Sequence, residues 1–204
     1  WTETIQLESS VKQPELPKFA YFKGSVVPYA EARIGLLTHA LNYGTAVFGG
    51  LRGHWNEEEQ ELFVFRPLDH FRRFCDSARL LRMELGQSPD DLWAGLRALL
   101  RKQETREDCH IRALAFYGDE TLGVRLHGLT PVVSIVALPF GHFVANEDNA
   151  HASISSWQRI SDNVLPARWW LAMQGMIMCV TAFLAGEFGP TWPGPAVLAV
   201  CMVA

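Results

Sequence analysis

The chain has no lysine after Lys102 and no arginine after Arg168, so the last 36 of its 204 residues carry a single charged side chain, Glu187. Its four cysteines, Cys75, Cys109, Cys179 and Cys201, stand far apart without a C-x-x-C pair. Neither a zinc site nor a disulfide framework is indicated, and a reducing cytosol is the expected compartment. No set of side chains has metal-ligand spacing. Neither G-x-S-x-G nor G-x-x-x-x-G-K followed by Ser or Thr occurs, which removes the main support for a serine hydrolase or a P-loop enzyme. Eighteen basic residues against 22 acidic ones leave a net charge of −4, and no stretch is basic enough to draw a phosphate backbone. Nucleic acid is therefore not an expected partner. The segment from Trp1 to Lys12 lacks the charged-then-apolar layout of a signal peptide, and a start on Trp points to a fragment.

What is present reads as one domain and part of a second, at roughly 150 residues per domain. Residues 1–18, polar and with Pro14 and Pro17, suit an extended arm. Phe19 to Pro28 alternates around Lys23-Gly24 as a hairpin does, and Leu62 to Phe65 reads as a strand. From Pro67 the period changes, with Leu68, Phe71, Phe74, Cys75, Ala78 and Leu81 three or four apart, which predicts an amphipathic helix. A second helix is predicted over Asp90 to Lys102, with Leu92, Leu96, Leu99 and Leu100 on one side. Two apolar runs, Ile111 to Tyr117 and Pro131 to Pro139, have strand length and composition. Strands with helices between them predict a layered α/β or α+β domain over 19–139. An interdomain loop over 140–151 and an incomplete second domain over 152–204 follow it.

The run Thr38 to Arg52 mixes small residues, two aromatics and a cation in a way that core packing does not require, and reads as the wall of a site for a small, partly apolar anion. Tyr43 and Phe48, five apart, do not share a helical face and would line such a site from different sides, while Gly49-Gly50 lets backbone approach a neighbour. His39, four before Tyr43, suits a helical pair and a structural role. Arg73 lies on the first predicted helix, where it is either a solvated cation or a two-pronged grip for phosphate or carboxylate. Arg112 opens an apolar strand, and a charge there needs a ligand or an ion-pair partner such as Asp119 or Glu120. Gly118 to Val124 is turn-rich, a surface loop or a pocket rim.

In order and spacing, these segments resemble the fold-type IV pyridoxal-phosphate enzymes, and among them the branched-chain amino-acid aminotransferases. Leu37 to Arg52 is similar to the family's S/T-H-A-L-x-Y-G-x-x-V-F-E-G-I/L-R segment. Phe65 to Ala78 is similar to F-R-x-x-x-H-x-x-R-L/F-x-D-S-A, and Ile111-Arg112 to an I-R strand. Ser155 to Arg159, followed by Asn163 and Pro166, resembles S-S-W-x-R-x-x-x-N-x-x-P at the entry to the second domain. The resemblance implies transamination of leucine, isoleucine and valine with 2-oxoglutarate, pyridoxal 5′-phosphate as cofactor and a homodimer whose pockets borrow residues across the interface. It implies that Arg73 holds the cofactor phosphate and that Tyr43, Phe48, Arg52, His110 and Arg112 line the substrate pocket. Within the same fold, the alternatives are a D-amino-acid aminotransferase or an aminodeoxychorismate lyase, which the Val47 to Arg52 and Ser155 to Trp157 segments fit less well. From a different class, the alternative is a non-catalytic module that keeps the phosphate pocket.

Several departures stand out against that pattern. Gly49 replaces the family's usual glutamate, and His110 stands where a tyrosine is common. After the proline at Pro166 the family continues x-x-x-K-x-x-G-x-Y, which places Trp170 at the lysine that carries the cofactor and Gly175 at the tyrosine. The chain also ends at Ala204, near the family's S-E-G segment, whose glutamate keeps the cofactor ring protonated. By that comparison this chain is itself inactive. Trp169 to Gly186 is an uncharged run of 18 residues, near the length of a membrane span, but it contains Gln174 and several glycines and has Arg168 as its one flanking cation. A membrane segment is the lesser reading, a remodelled pseudo-enzyme the second, and a slipped reading frame near Arg168 the preferred one, because charge and motif end together there.

Overall fold

Lys23 and Gly24 both adopt positive φ, 51° and 90°, the backbone of a two-residue hairpin turn that matches the twist of its strands. They join β1 (Phe19–Phe22) to β2 (Ser25–Pro28) in the predicted hairpin. The computed structural model describes residues 16–139. The expected arm before Leu16, the 140–151 loop, the second domain, Trp170 and the uncharged run 169–186 lie outside the described residues. A short 3₁₀ turn at Tyr29–Glu31 leads to α1 (His39–Tyr43), which Gly44 ends in the left-handed conformation. Then come β3 (Ala46–Asn56), β4 (Glu61–Val64), α2 (Pro67–Leu80), α3 (Pro89–Gln103), β5 (Cys109–Tyr117) and β6 (Pro131–Pro139). Both long helices begin with a proline in the first turn, and Ser88 caps α3 through a reciprocal pair of bonds with Asp91.

The six strands form one sheet in the order β2-β1-β6-β5-β3-β4, antiparallel at every pairing. Its two faces differ. Odd-numbered residues of β3, β5 and β6, among them Val47, Leu51, Ile111, Ala113, Ala115, Ile135 and Ala137, are buried in one core with Phe71 and Phe74 of α2 and Leu92, Leu96 and Leu99 of α3. Alanines on the sheet face the large side chains of the helices, which lets the two layers approach closely. The predicted helix stripes hold, with Leu68, Leu81 and Leu100 at their half-buried margins. Among the described residues, no helix is long and apolar enough to cross a membrane.

Sequence patterning missed β3, the longest strand. Gly49, Gly50 and Gly53 lower its strand propensity, and what they accommodate lies elsewhere in the chain. A Cβ on Gly53 would lie 2.8 Å from Cys109 Sγ and 3.3 Å from both Leu62 methyls. Gly53→Ala should therefore destabilise the fold by about 1–3 kcal/mol, and Gly53→Ala/Cys109→Ala should recover part of that loss in urea titrations. Burial pushes the Cys109 thiol up to about 11, outweighing the opposing hydrogen bond from Gly53. Between pH 9 and 11 the unfolded chain loses this proton while the folded chain keeps it, so stability falls as pH rises, by on the order of 2–3 kcal/mol. Cys109→Ala should flatten that alkaline limb in a pH series of denaturation midpoints.

Candidate functional site

The eight registered pairs of β3 and β5, from Ala46↔Phe116 to Gly53↔Cys109, decide which side chains share the face away from the helices. Strand alternation places Phe48, Gly50 and Arg52 of β3 beside His110, Arg112 and Leu114 of β5 on that face. Phe48 lies opposite Leu114, Gly50 opposite Arg112 and Arg52 opposite His110. Arg112 enters the core strand β5 as expected, and its side chain stands exposed on this face. Its guanidinium lies 4.9 Å from the centroid of the Phe48 ring, a cation–π contact of about 0.5–1 kcal/mol at such a site. The ion pairs foreseen for Arg112 take other forms. The Asp119 carboxylate accepts the Thr130 N–H, and Glu120 packs over Gly35.

The face is graded along its length. At one end Ala46, Phe116 and Val132 are buried together, with Phe22, Ala40 and Leu114 packed on them. At the other end Arg52, His110 and Arg112 gather, followed by His54, whose Nδ1 is 3.4 Å from Asp108. The Asp108 carboxylate also accepts the Trp55 N–H at 2.9 Å, and that bond is the chief cause of its lowered pKa. His110 is half-buried, and burial, then the charges of Arg112 and Arg52, hold its pKa below the ordinary value. A Cβ on Gly50 would meet His110 Cε1 at 3.3 Å, so the glycine is what lets the imidazole lie against the strand. An apolar end and a cationic end on one surface suit a small molecule with an aliphatic part and a carboxylate.

Tyr43 stands on a different element from Phe48. It sits on α1, which runs into β3, and its hydroxyl donates to the Leu122 carbonyl at 2.6 Å. His39 is fully buried, with Nε2 2.9 Å from the Gly123 carbonyl and Nδ1 2.8 Å from Thr45 Oγ1. A carbonyl can only accept, so Nε2 carries the proton and, on a neutral ring, the Thr45 hydroxyl donates to Nδ1. The ring lies 4.7 Å from that of Tyr43 and edge-on to Tyr117. Tyr43 and His39 thus fasten Leu122 and Gly123 to α1.

Arg73 is placed apart from this group, on α2 in the layer that packs against the other face of β3. It borders a cleft of about 310 Å³ with Phe65, Arg66, Asp69 and His70. Asp69 accepts from Arg66 at 2.6 Å and from Arg72 at 2.9 Å, and the Arg66 bond is the main cause of its lowered pKa. Among the described residues no carboxylate pairs with Arg73, whose guanidinium lies 3.4 Å from His70 Nδ1. Burial, then Arg73, lowers the His70 pKa, so the imidazole stays neutral beside the guanidinium at pH 7. A guanidinium so placed is available to an anion.

No family model matches the chain. It is 40% identical over 154 residues to the probable branched-chain-amino-acid aminotransferase of Aquifex aeolicus, a match that covers 76% of this chain and 50% of that protein. The crystal structure of the branched-chain amino acid aminotransferase of Escherichia coli superposes with a TM-score of 0.76 at 30% identity, covering 85% of this chain and 57% of that one. The Thermobaculum terrenum enzyme in its PLP form gives a TM-score of 0.73 at 30% identity, covering 86% and 57%. The chain spans about half the length of the curated relatives it matches.

The His39 anchor is open to a direct test. His39→Ala leaves the Gly123 carbonyl and the Thr45 hydroxyl without their partner at a cost of about 2 kcal/mol. Hydrogen exchange should quicken at residues 121–124 and stay slow in the centre of β5.

Proposed function

Given that the chain belongs to the branched-chain aminotransferase family over the part of its relatives that it spans, we propose that it carries the substrate and phosphate walls of a pyridoxal-phosphate-dependent aminotransferase for branched-chain L-amino acids and 2-oxoglutarate. The observation that carries this reading is the graded sheet face, apolar at Phe48 and Leu114 and cationic at Arg112 and Arg52. One surface then takes both substrates in turn. The aliphatic side chain of leucine or valine lies against Phe48, and the distal carboxylate of 2-oxoglutarate meets Arg112, whose guanidinium the Phe48 ring already orients. Tyr43 and the 121–124 rim bound that space on the α1 side and limit water there.

The cofactor's phosphate fits the Arg73 cleft, where the guanidinium borders the space and has no carboxylate partner among the described residues. When bound, pyridoxal phosphate supplies the electron sink that makes the substrate Cα proton removable. Moving that proton requires an amine base, and the position that the family fills with lysine is Trp170 here. Arg73 thus anchors the phosphate and the sheet face orients the substrate, while Trp170 offers no amine to shuttle the proton. A homodimer belongs to the same proposal. Leu36, Leu41, Leu122 and Val124, 58–85% exposed, put apolar surface around the rim.

The purified chain should bind pyridoxal phosphate in calorimetry without forming a borohydride-reducible bond. Arg73→Ala should weaken that binding about tenfold or more, and L-leucine with 2-oxoglutarate should yield no glutamate. Unchanged affinity in Arg73→Ala would overturn the phosphate assignment. Glutamate formation would overturn the inactivity.

A further inference from the structure

His110 is the middle member of three cation-capable side chains, directly opposite Arg52 and two residues before Arg112 on its own strand. Arg52 and Arg112 are diagonal neighbours across the β3–β5 ladder, a relation that spaces Cα atoms by about 7–8 Å. The imidazole lies against Gly50, whose missing Cβ would come 3.3 Å from Cε1 and 3.9 Å from Nε2. It therefore leans along the ladder diagonal from position 110 to Gly50, which passes between the Arg52 and Arg112 positions. From β6 it is faced by Leu138, its register partner, and Val136, neither of them charged. From β5 the acid is Asp108, which accepts from Trp55 and pairs with His54. Helices α2 and α3 pack on the other face of the sheet.

We propose that His110 is a proton-gated third cation of this carboxylate subsite, so that binding of a dicarboxylate at Arg52 and Arg112 is coupled to uptake of a proton at His110. The inference rests on the reading of this face as the carboxylate-binding wall. Two fixed positive charges and half-burial oppose protonation of the imidazole in the free protein, in keeping with the direction of its pKa. A bound dianion offsets the charges of both arginines and leaves burial as the remaining opposing cause, so the proton affinity of His110 rises. By linkage, the anion binds more tightly as pH falls through the range where His110 titrates. A tyrosine at this position would titrate far above that range. The residue that departs from the family's common one thus makes anion capture pH-sensitive.

The test uses the 204-residue chain without cofactor and 2-oxoglutarate as the probe, whose carboxylates stay ionised above pH 6. Calorimetry near pH 6.5 in two buffers of different ionisation enthalpy should show uptake of about half a proton per bound anion, and affinity should rise about tenfold from pH 8 to pH 6. In His110→Gln both effects should vanish. In His54→Gln, which removes the neighbouring imidazole, both should persist. As a check that needs no variant to fold, the NMR titration of the His110 ring should move to higher pH when 2-oxoglutarate is added. Binding without proton uptake, uptake that survives in His110→Gln, an unmoved His110 titration, or no binding at any pH would each overturn the proposal. Binding of pyridoxal phosphate at Arg73 and the turnover assay are scored separately, so a failed coupling leaves the aminotransferase reading standing. A failed aminotransferase reading likewise leaves the proton measurement intact.

Discussion

The register of β3 against β5 is the constraint on which the rest of this structure depends. Side chains alternate along a strand with a period of two, so a slip of one residue would carry Val47 and Leu51 out of the core and Phe48 and Arg52 into it. The helices enforce the observed choice. Phe71 and Phe74 of α2 and Leu96 of α3, all buried, require the odd-numbered apolar residues beneath them. The same demand leaves the even-numbered residues on the other face and sets Arg112 beside Phe48 and His110 beside Arg52. Packing energy spent on one face therefore fixes the chemistry displayed on the other.

Three glycines make that ladder possible by yielding to bulkier partners. Gly49 lies under the Phe74 ring, Gly50 under the His110 imidazole and Gly53 beside the Cys109 sulfur. They alternate between the faces, with Gly49 and Gly53 toward the helices and Gly50 toward the site. Glycine normally weakens a strand, so each position gives up local propensity for close approach by a side chain from elsewhere. Where the family usually has a glutamate, Gly49 meets an aromatic ring in the core-facing layer, and no acid projects there.

Several elements were legible because their causes are local. Pro67 and the three-and-four spacing of Phe71, Phe74, Cys75 and Ala78 define α2. The stripe of Leu92, Leu96, Leu99 and Leu100 announces α3, Lys23-Gly24 announces the hairpin, and Pro131 to Pro139 coincides with β6. The unusual mixture of residues in Thr38 to Arg52 was also readable. The strand inside it was not, since the reasons for its glycines lie in α2 and β5. Gly50 as a partner of His110, and His54 with Asp108 beyond it, had no signal in the pattern at all.

By itself, the sequence determined which residue types exist at each step: the helix stripes, the turn at Lys23-Gly24 and the family motifs. Only the tertiary structure decided that the Arg112 side chain is exposed on one face of its strand, that Tyr43 and His39 hold Leu122 and Gly123, and that Arg73 belongs to a separate layer. The division has a physical cause. Propensity, capping and turn chemistry act over a few neighbouring residues, whereas the face a strand residue occupies is set by register with a partner some sixty residues away, as for Arg52 and His110.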